Sequence, residues 1–103
     1  MLITVSSRHM DVTPPLKTYA EGKASKLDKY YDRIQEVEVV FDNGKDLKRV
    51  EMIVNVEPKH TFVAHCDDAD AYAGVDGCME KLERQLSDHK KKFRNRKHPD
   101  PAG

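Results

Sequence analysis

The sequence predicts an α+β fold in the order β-α-β-β-β-α, and three observations predict it. A short β-branched run opens the chain at Leu2 to Ser7. Apolar residues recur at helical spacing in two separate stretches, one ending at Tyr31 and one beginning near Ala71. Between them, period-two alternation occurs three times, each time bounded by turn-forming residues. The simplest packing is a four-stranded, mostly antiparallel sheet with two helices on one face.

Each element has its own signal. In the first strand Ile3 and Val5 share a face. Thr13 is placed to cap a helix, and Pro14 and Pro15 fit its first turn, where a missing N–H costs nothing. Leu16, Tyr19, Ala20, Ala24, Leu27 and Tyr31 then form one buried stripe on a helix of about four turns. Asp32-Arg33 breaks the period. Val37, Val39 and Phe41 alternate with Glu38, Val40 and Asp42 as a half-buried strand. Asp42-Asn43-Gly44-Lys45 predicts a tight hairpin, since Asn-Gly tolerates the positive φ such turns need.

Val50, Met52, Val54 and Val56 share a face of the third strand, and Pro58-Lys59 offers the next turn. Phe62, Ala64 and Cys66 mark the fourth strand, with Val63 and His65 on its other side. Asp67, Asp68 and Asp70 end the sheet and stand where a helix N-terminus favours acids. Tyr72, Val75, Met79, Leu82, Leu86 and Phe93 predict a helix from about Ala71 to the mid-nineties. The opening strand–helix–strand unit permits one parallel pairing. The other sheet face, with Glu38, Glu51, Asn55 and Glu57, is expected to be fairly polar and to be avoided by a polyanion such as RNA.

At 103 residues the chain predicts a single domain at 1–98 with a flexible tail at 99–103. A domain this size buries roughly 65% of the surface its unfolded chain exposes, enough for one core layer. No window approaches the ~18 apolar residues of a membrane span. The start Met1-Leu2-Ile3-Thr4-Val5 lacks the pattern of a signal peptide, so a cytoplasmic location with no membrane partner is expected. Cys66 and Cys78 form no Cys-x-x-Cys pair, and that location argues against a disulfide.

The formal net charge is zero, but it hides a dipole. Residues 32–80 carry five basic and twelve acidic side chains, whereas residues 81–103 carry eight and three. The run from His89 to His98 holds six Lys or Arg and no acid. A basic helical end on a small domain attracts a polyanion, with RNA the leading candidate. On a helical wheel Lys81, Arg84, Gln85, Asp88 and Lys92 share one flank of the second helix, and Glu80, Glu83 and Ser87 the other. Lys23, Lys26 and Lys29 lie together on the first helix, with Lys23 near the centre of its apolar stripe, from which it must snorkel. Side by side, the two basic flanks are expected to form one channel.

Enzyme chemistry finds no foothold. There is no Gly-rich phosphate loop, nucleophile elbow or paired-carboxylate signature. Adjacent His65 and Cys66 point to opposite faces of a strand and do not share a metal. Asp67, Asp68 and Asp70 lack the alternation and glycine of a calcium loop. No cofactor, metal or small-molecule substrate is expected. Phe41 and Phe62 fall on core faces, so base stacking on the sheet is not expected and backbone-directed binding is. His89 lies near the apolar side of the second helix, where packing or an RNA contact suits it better than catalysis.

Several stretches carry a resemblance. They are Val12-Thr13…Leu16, Lys23-Ala24-Ser25-Lys26-Leu27 and Tyr30-Tyr31-Asp32-Arg33-Ile34. The second helix adds Asp70-Ala71-Tyr72-Ala73-Gly74-Val75-Asp76, Lys81-Leu82-Glu83-Arg84-Gln85-Leu86 and His89-Lys90. In order and spacing, from about Leu2 to Arg96, the chain resembles the ribosome hibernation promoting factor and ribosome-associated inhibitor family. That family is also described as the sigma-54 modulation or protein Y family.

The resemblance implies a fold similar to a double-stranded RNA-binding domain with an added first strand. It implies binding to the small ribosomal subunit near the decoding centre, where the mRNA and tRNA sites are blocked and translation is silenced in stationary phase or stress. Matching rRNA-contact positions are Lys23, Lys26, Lys81, Arg84, Lys90 and Lys92, with Lys29, His89, Lys91 and Arg94 as extensions. Chain length resembles the short hibernation promoting factors, some of which work beside a ribosome modulation factor to give ribosome dimers. Asp88 departs from the pattern, standing where some relatives have a basic residue. A stand-alone duplex-RNA-binding module and a protein-interaction regulator are the competing readings.

Overall fold

The computed structural model describes residues 1–97, with side chains given through Lys92; the expected tail at 99–103 lies outside them. The alternating segments form β1 (Leu2–Arg8), β2 (Ile34–Asn43), β3 (Lys48–Val56) and β4 (His60–Asp68) in one sheet of order β1-β2-β3-β4. β1 runs parallel to β2, and the other two pairings are antiparallel. The register aligns the apolar faces into continuous rows. Ile3, Val37, Val54 and Phe62 make one row, and Val5, Val39, Met52 and Ala64 the next. Against these rows pack α1 (Pro14–Ser25) and α2 (Ala71–Lys97) in a single core cluster.

α1 starts as expected. The Thr13 hydroxyl accepts the Leu16 N–H at 3.4 Å, and the prolines occupy the first two positions. The four-turn helix does not persist, however: after Ser25 the chain tightens into a 3₁₀ turn, Lys26–Lys29. Leu27 and Tyr31 stay buried because the Tyr30 and Tyr31 N–H groups both close onto the Leu27 carbonyl. This wraps the stripe toward the sheet, where the Tyr31 hydroxyl donates to the Glu57 carbonyl at 2.7 Å.

Two other expectations are corrected. β2 and β3 are joined by a four-residue loop, in which the Gly44 N–H donates to the Leu47 carbonyl at 2.9 Å. A loop of that length escapes the doubly positive φ of a two-residue hairpin, and no described glycine has positive φ. The left-handed position falls instead at His9, φ 59°, where the chain leaves β1. On α2, Tyr72 is exposed and the buried stripe runs through Ala71, Val75, Cys78, Met79, Leu82 and Leu86. Tyr72 packs edge-on against Tyr19 of α1, with centroids 5.1 Å apart.

α2 is capped by the acids that precede it. Asp70 accepts the Tyr72 N–H and Asp68 accepts the Asp70 N–H, both at 2.9 Å. The helix lies close to β3 and β4 because it carries glycine where it crosses them. A Cβ on Gly74 would stand 2.6 Å from Val50 Cγ2, and one on Gly77 would stand 2.5 Å from Cys66 Sγ. The opposite sheet face is open and polar as expected, with Glu38, Glu51 and Asn55 partly exposed.

Candidate nucleic-acid interface

The basic side chains are positioned by how α2 sits between β4 and α1. Toward β4, Lys81 Nζ donates to the His65 carbonyl at 2.6 Å and Gln85 Nε2 to the Val63 carbonyl at 3.3 Å. Toward α1, the Tyr19 hydroxyl donates to Asp76 Oδ1 at 2.6 Å. Lys23 snorkels out of the apolar stripe to the same carboxylate at 3.9 Å, passing 5.4 Å from the centre of the Tyr19 ring. That hydroxyl bond to a carboxylate, with partial burial and the Asp76 and Asp70 charges behind it, holds the Tyr19 pKa above its ordinary value.

This geometry corrects the expected channel. The Lys81–Gln85 flank faces the sheet edge, and Lys23 faces the acidic flank, so the two do not meet. What converges instead is the far end of the helical layer. Lys29 from the 3₁₀ turn meets Lys90 and Lys91 across a shallow groove of about 230 Å³ floored by Tyr30 and Ser87. No carboxylate lines it. Arg84 stands on the outer face of α2 beside Glu80 and Glu83. Among the described residues Lys26, Lys29, Arg84, Lys90, Lys91 and Lys92 are exposed and enter no ion pair. Uncommitted cations held on a packed helical layer suit phosphate, which needs charge at fixed spacing rather than a shaped pocket.

The three consecutive lysines are spread by the ~100° rotation per helical residue. Lys90 and Lys91 join Lys29, while Lys92 turns to the β4 side beside His60 and Asp88. His89 is partly buried and packs as the sequence allowed: it stacks on His60 at 5.1 Å and meets Tyr31 and Phe62 edge-on. The side chain of Arg94 lies outside the described residues. Sequence reasoning placed Tyr30 beside the first-helix lysines but missed Ser87 as part of the cationic groove and His60 as the partner of His89. Ser87 shares a helix face with Lys90 and Lys91 at spacings of three and four, whereas only the chain's path brings His60 to His89 and Lys29 to Lys90.

No described cluster of His, Cys, Asp or Glu is arranged to hold a metal ion. Among the described residues no helix is long and apolar enough to cross a membrane.

Known proteins share this build. The model of the Sigma 54 modulation protein / S30EA ribosomal protein family matches residues 3–94, and the chain belongs to that family. Ribosome hibernation promoting factor of Pseudomonas putida is 34% identical over 92 residues, covering 89% of each chain. Its counterpart in Escherichia coli K12 is 31% identical over 94 residues, covering 91% of this chain and 98% of the relative. A ribosomal subunit interface protein from Coxiella burnetii superposes with a TM-score of 0.82 at 32% identity, covering 88% of this chain and 99% of that one. The N-terminal domain of Thermus thermophilus Protein Y gives a TM-score of 0.77 at 29% identity, covering 86% and 99%.

Proposed function

We propose that this protein is a ribosome hibernation factor. It binds the small ribosomal subunit near the decoding centre, occupies the mRNA and tRNA sites, and represses translation in stationary phase or stress. Family membership and the names carried by its relatives support association with the ribosome. The single structural observation that carries the RNA contact is the acid-free convergence of Lys29, Lys90 and Lys91 at one end of the helical layer.

The mechanism is occupancy without a chemical step. The core holds α1 and α2 against the sheet, and the helices hold the cations at fixed spacing. The acidic middle of the chain supplies the open sheet face, which turns away from phosphate and so orients the domain on a polyanion. Each phosphate neutralised adds about 0.7–0.9 to the slope of log K against log salt, so binding weakens steeply as salt rises.

Co-sedimentation with purified small subunits tests this reading. The wild type should pellet with subunits at physiological salt, and Lys29→Glu with Lys90→Glu should leave it in the supernatant. Charge-reversed protein that still pellets would remove this groove from the interface. A cell-free translation assay run alongside should lose inhibition in the same variant.

A further inference from the structure

A second groove, of about 600 Å³, lies between β4 and the C-terminal half of α2. It is built differently from the lysine groove. Its β4 wall carries the exposed His60 and the buried Phe62, and its α2 wall carries Gln85, Asp88, His89 and Lys92. His60 is held by packing on two sides, 4.5 Å from the Phe62 ring and 5.1 Å from His89, to which it is nearly parallel at 26°. His89 is braced in turn by Tyr31, at 5.4 Å. Exposed aromatic surface that packing already orients stacks on a flat ligand without further ordering cost.

The polar groups in this groove do not suit plain phosphate binding. Asp88 is exposed, enters no ion pair among the described residues, and repels phosphate. One helical turn later, Lys92 supplies an ammonium on the same flank. Acceptor, cation and aromatic surface together match a single nucleotide unit. An unpaired guanine presents two adjacent donors, N1–H and N2–H, to a carboxylate, and its ring stacks while its phosphate meets the ammonium. Uracil offers one N–H between two carbonyl oxygens that a carboxylate repels. Adenine and cytosine each offer an amine beside a bare ring nitrogen. RNA recognition of this kind works on bases freed from a helix.

We propose that this groove is a subsite for one unpaired guanine nucleotide, with His60 as the stacking surface, Asp88 as the base-reading acceptor and Lys92 on the phosphate. The inference rests on the RNA-binding reading above and adds base selectivity to it.

NMR titration of the full chain with GMP, AMP, CMP and UMP tests it. GMP should shift the His60 and His89 ring resonances and the Thr61 and Val63 amides, and bind roughly fivefold tighter than UMP or more, the low end for a bidentate base contact. Asp88→Asn should abolish that preference while stacking persists, and His60→Ala should weaken all four nucleotides alike. Equal shifts from all four, unchanged in Asp88→Asn, would mean phosphate contact only and overturn the subsite, as would GMP shifts confined to the lysine groove. Small-subunit sedimentation run in parallel separates the two readings. Subunit binding without a GMP response defeats the subsite alone, whereas a GMP response without subunit binding defeats the ribosome reading alone.

Discussion

The Lys81 ammonium donates to the backbone carbonyl of His65 at 2.6 Å, so a side chain of α2 reaches over to the edge strand β4. Gln85 repeats the contact on the Val63 carbonyl one turn further along. An open edge strand offers its carbonyls and N–H groups to other chains, and side chains that occupy two of those carbonyls blunt that hazard. Lys81, expected at the rRNA interface, is thereby tied to the fold. Lys81→Gln should cost about 1 kcal/mol or less in urea denaturation. Lys81→Glu should do worse, because it sets a carboxylate against a carbonyl and frees the edge. Light scattering at raised concentration should then show association that Arg84→Glu does not produce.

The close approach of α2 to β4 makes Gly77 sensitive. An alanine Cβ there would meet Cys66 Sγ at 2.5 Å and Cys66 Cβ at 3.2 Å. Gly77→Ala alone should lose roughly 1–3 kcal/mol through overpacking. In a Cys66→Ala background the sulfur is gone but the Cβ contact at 3.2 Å stays, set against the ~1 kcal/mol helix preference for alanine over glycine. Gly77→Ala should therefore cost less in that background than in the wild type, and a double-mutant cycle measured by thermal denaturation checks the coupling.

The two thiols should differ in reactivity. Burial pushes the Cys78 thiol up to about 12, and its Sγ donates to the Val50 carbonyl at 3.2 Å. Since the thiolate is the nucleophile, Cys78 should resist alkylation in the native protein. Iodoacetamide at pH 8 followed by peptide mass spectrometry should find Cys66, which is partly exposed, modified first.

Acid should act through two aspartates on the open sheet face. Arg49 donates to both oxygens of Asp67, at 2.7 and 3.0 Å, and holds its pKa below the ordinary value. His9 does the same for Asp42 from 3.1 Å. A carboxylate whose folded pKa is depressed stabilises the protein above its unfolded pKa and loses that contribution as pH falls through the folded value. The midpoint of thermal unfolding should therefore drop below about pH 4. Asp67→Asn or Asp42→Asn should flatten that limb by lowering the neutral midpoint toward the acid one and converging with the wild type in acid, and the drop should be small because both pairs are solvent-screened.

Much of this molecule is readable along the chain because its periods are clean. Val50, Met52, Val54 and Val56 alternate and are all buried, and the Thr13-Pro14-Pro15 start forms as its chemistry requires. Other features depend on which neighbour a helix face meets. A wheel places Lys81 and Lys23 on flanks but not against His65 and Asp76, so the expected channel came apart. Tyr72 reads as core by spacing, yet Ala71 and Cys78 take that role because α2 presses closely on the sheet through Gly74 and Gly77. His60 and His89 stack across 29 positions of sequence, which no local pattern reveals.

The parallel pairing of β1 with β2 has a consequence for assembly. Leu2 finds its partner in Glu36, across an intervening helix, whereas β2, β3 and β4 are joined by loops of four and three residues. Short closures are entropically cheap and form early, and distant ones wait. During synthesis β1 is made before the neighbour it must lie beside, so the meander of the other three strands should be the template on which it settles.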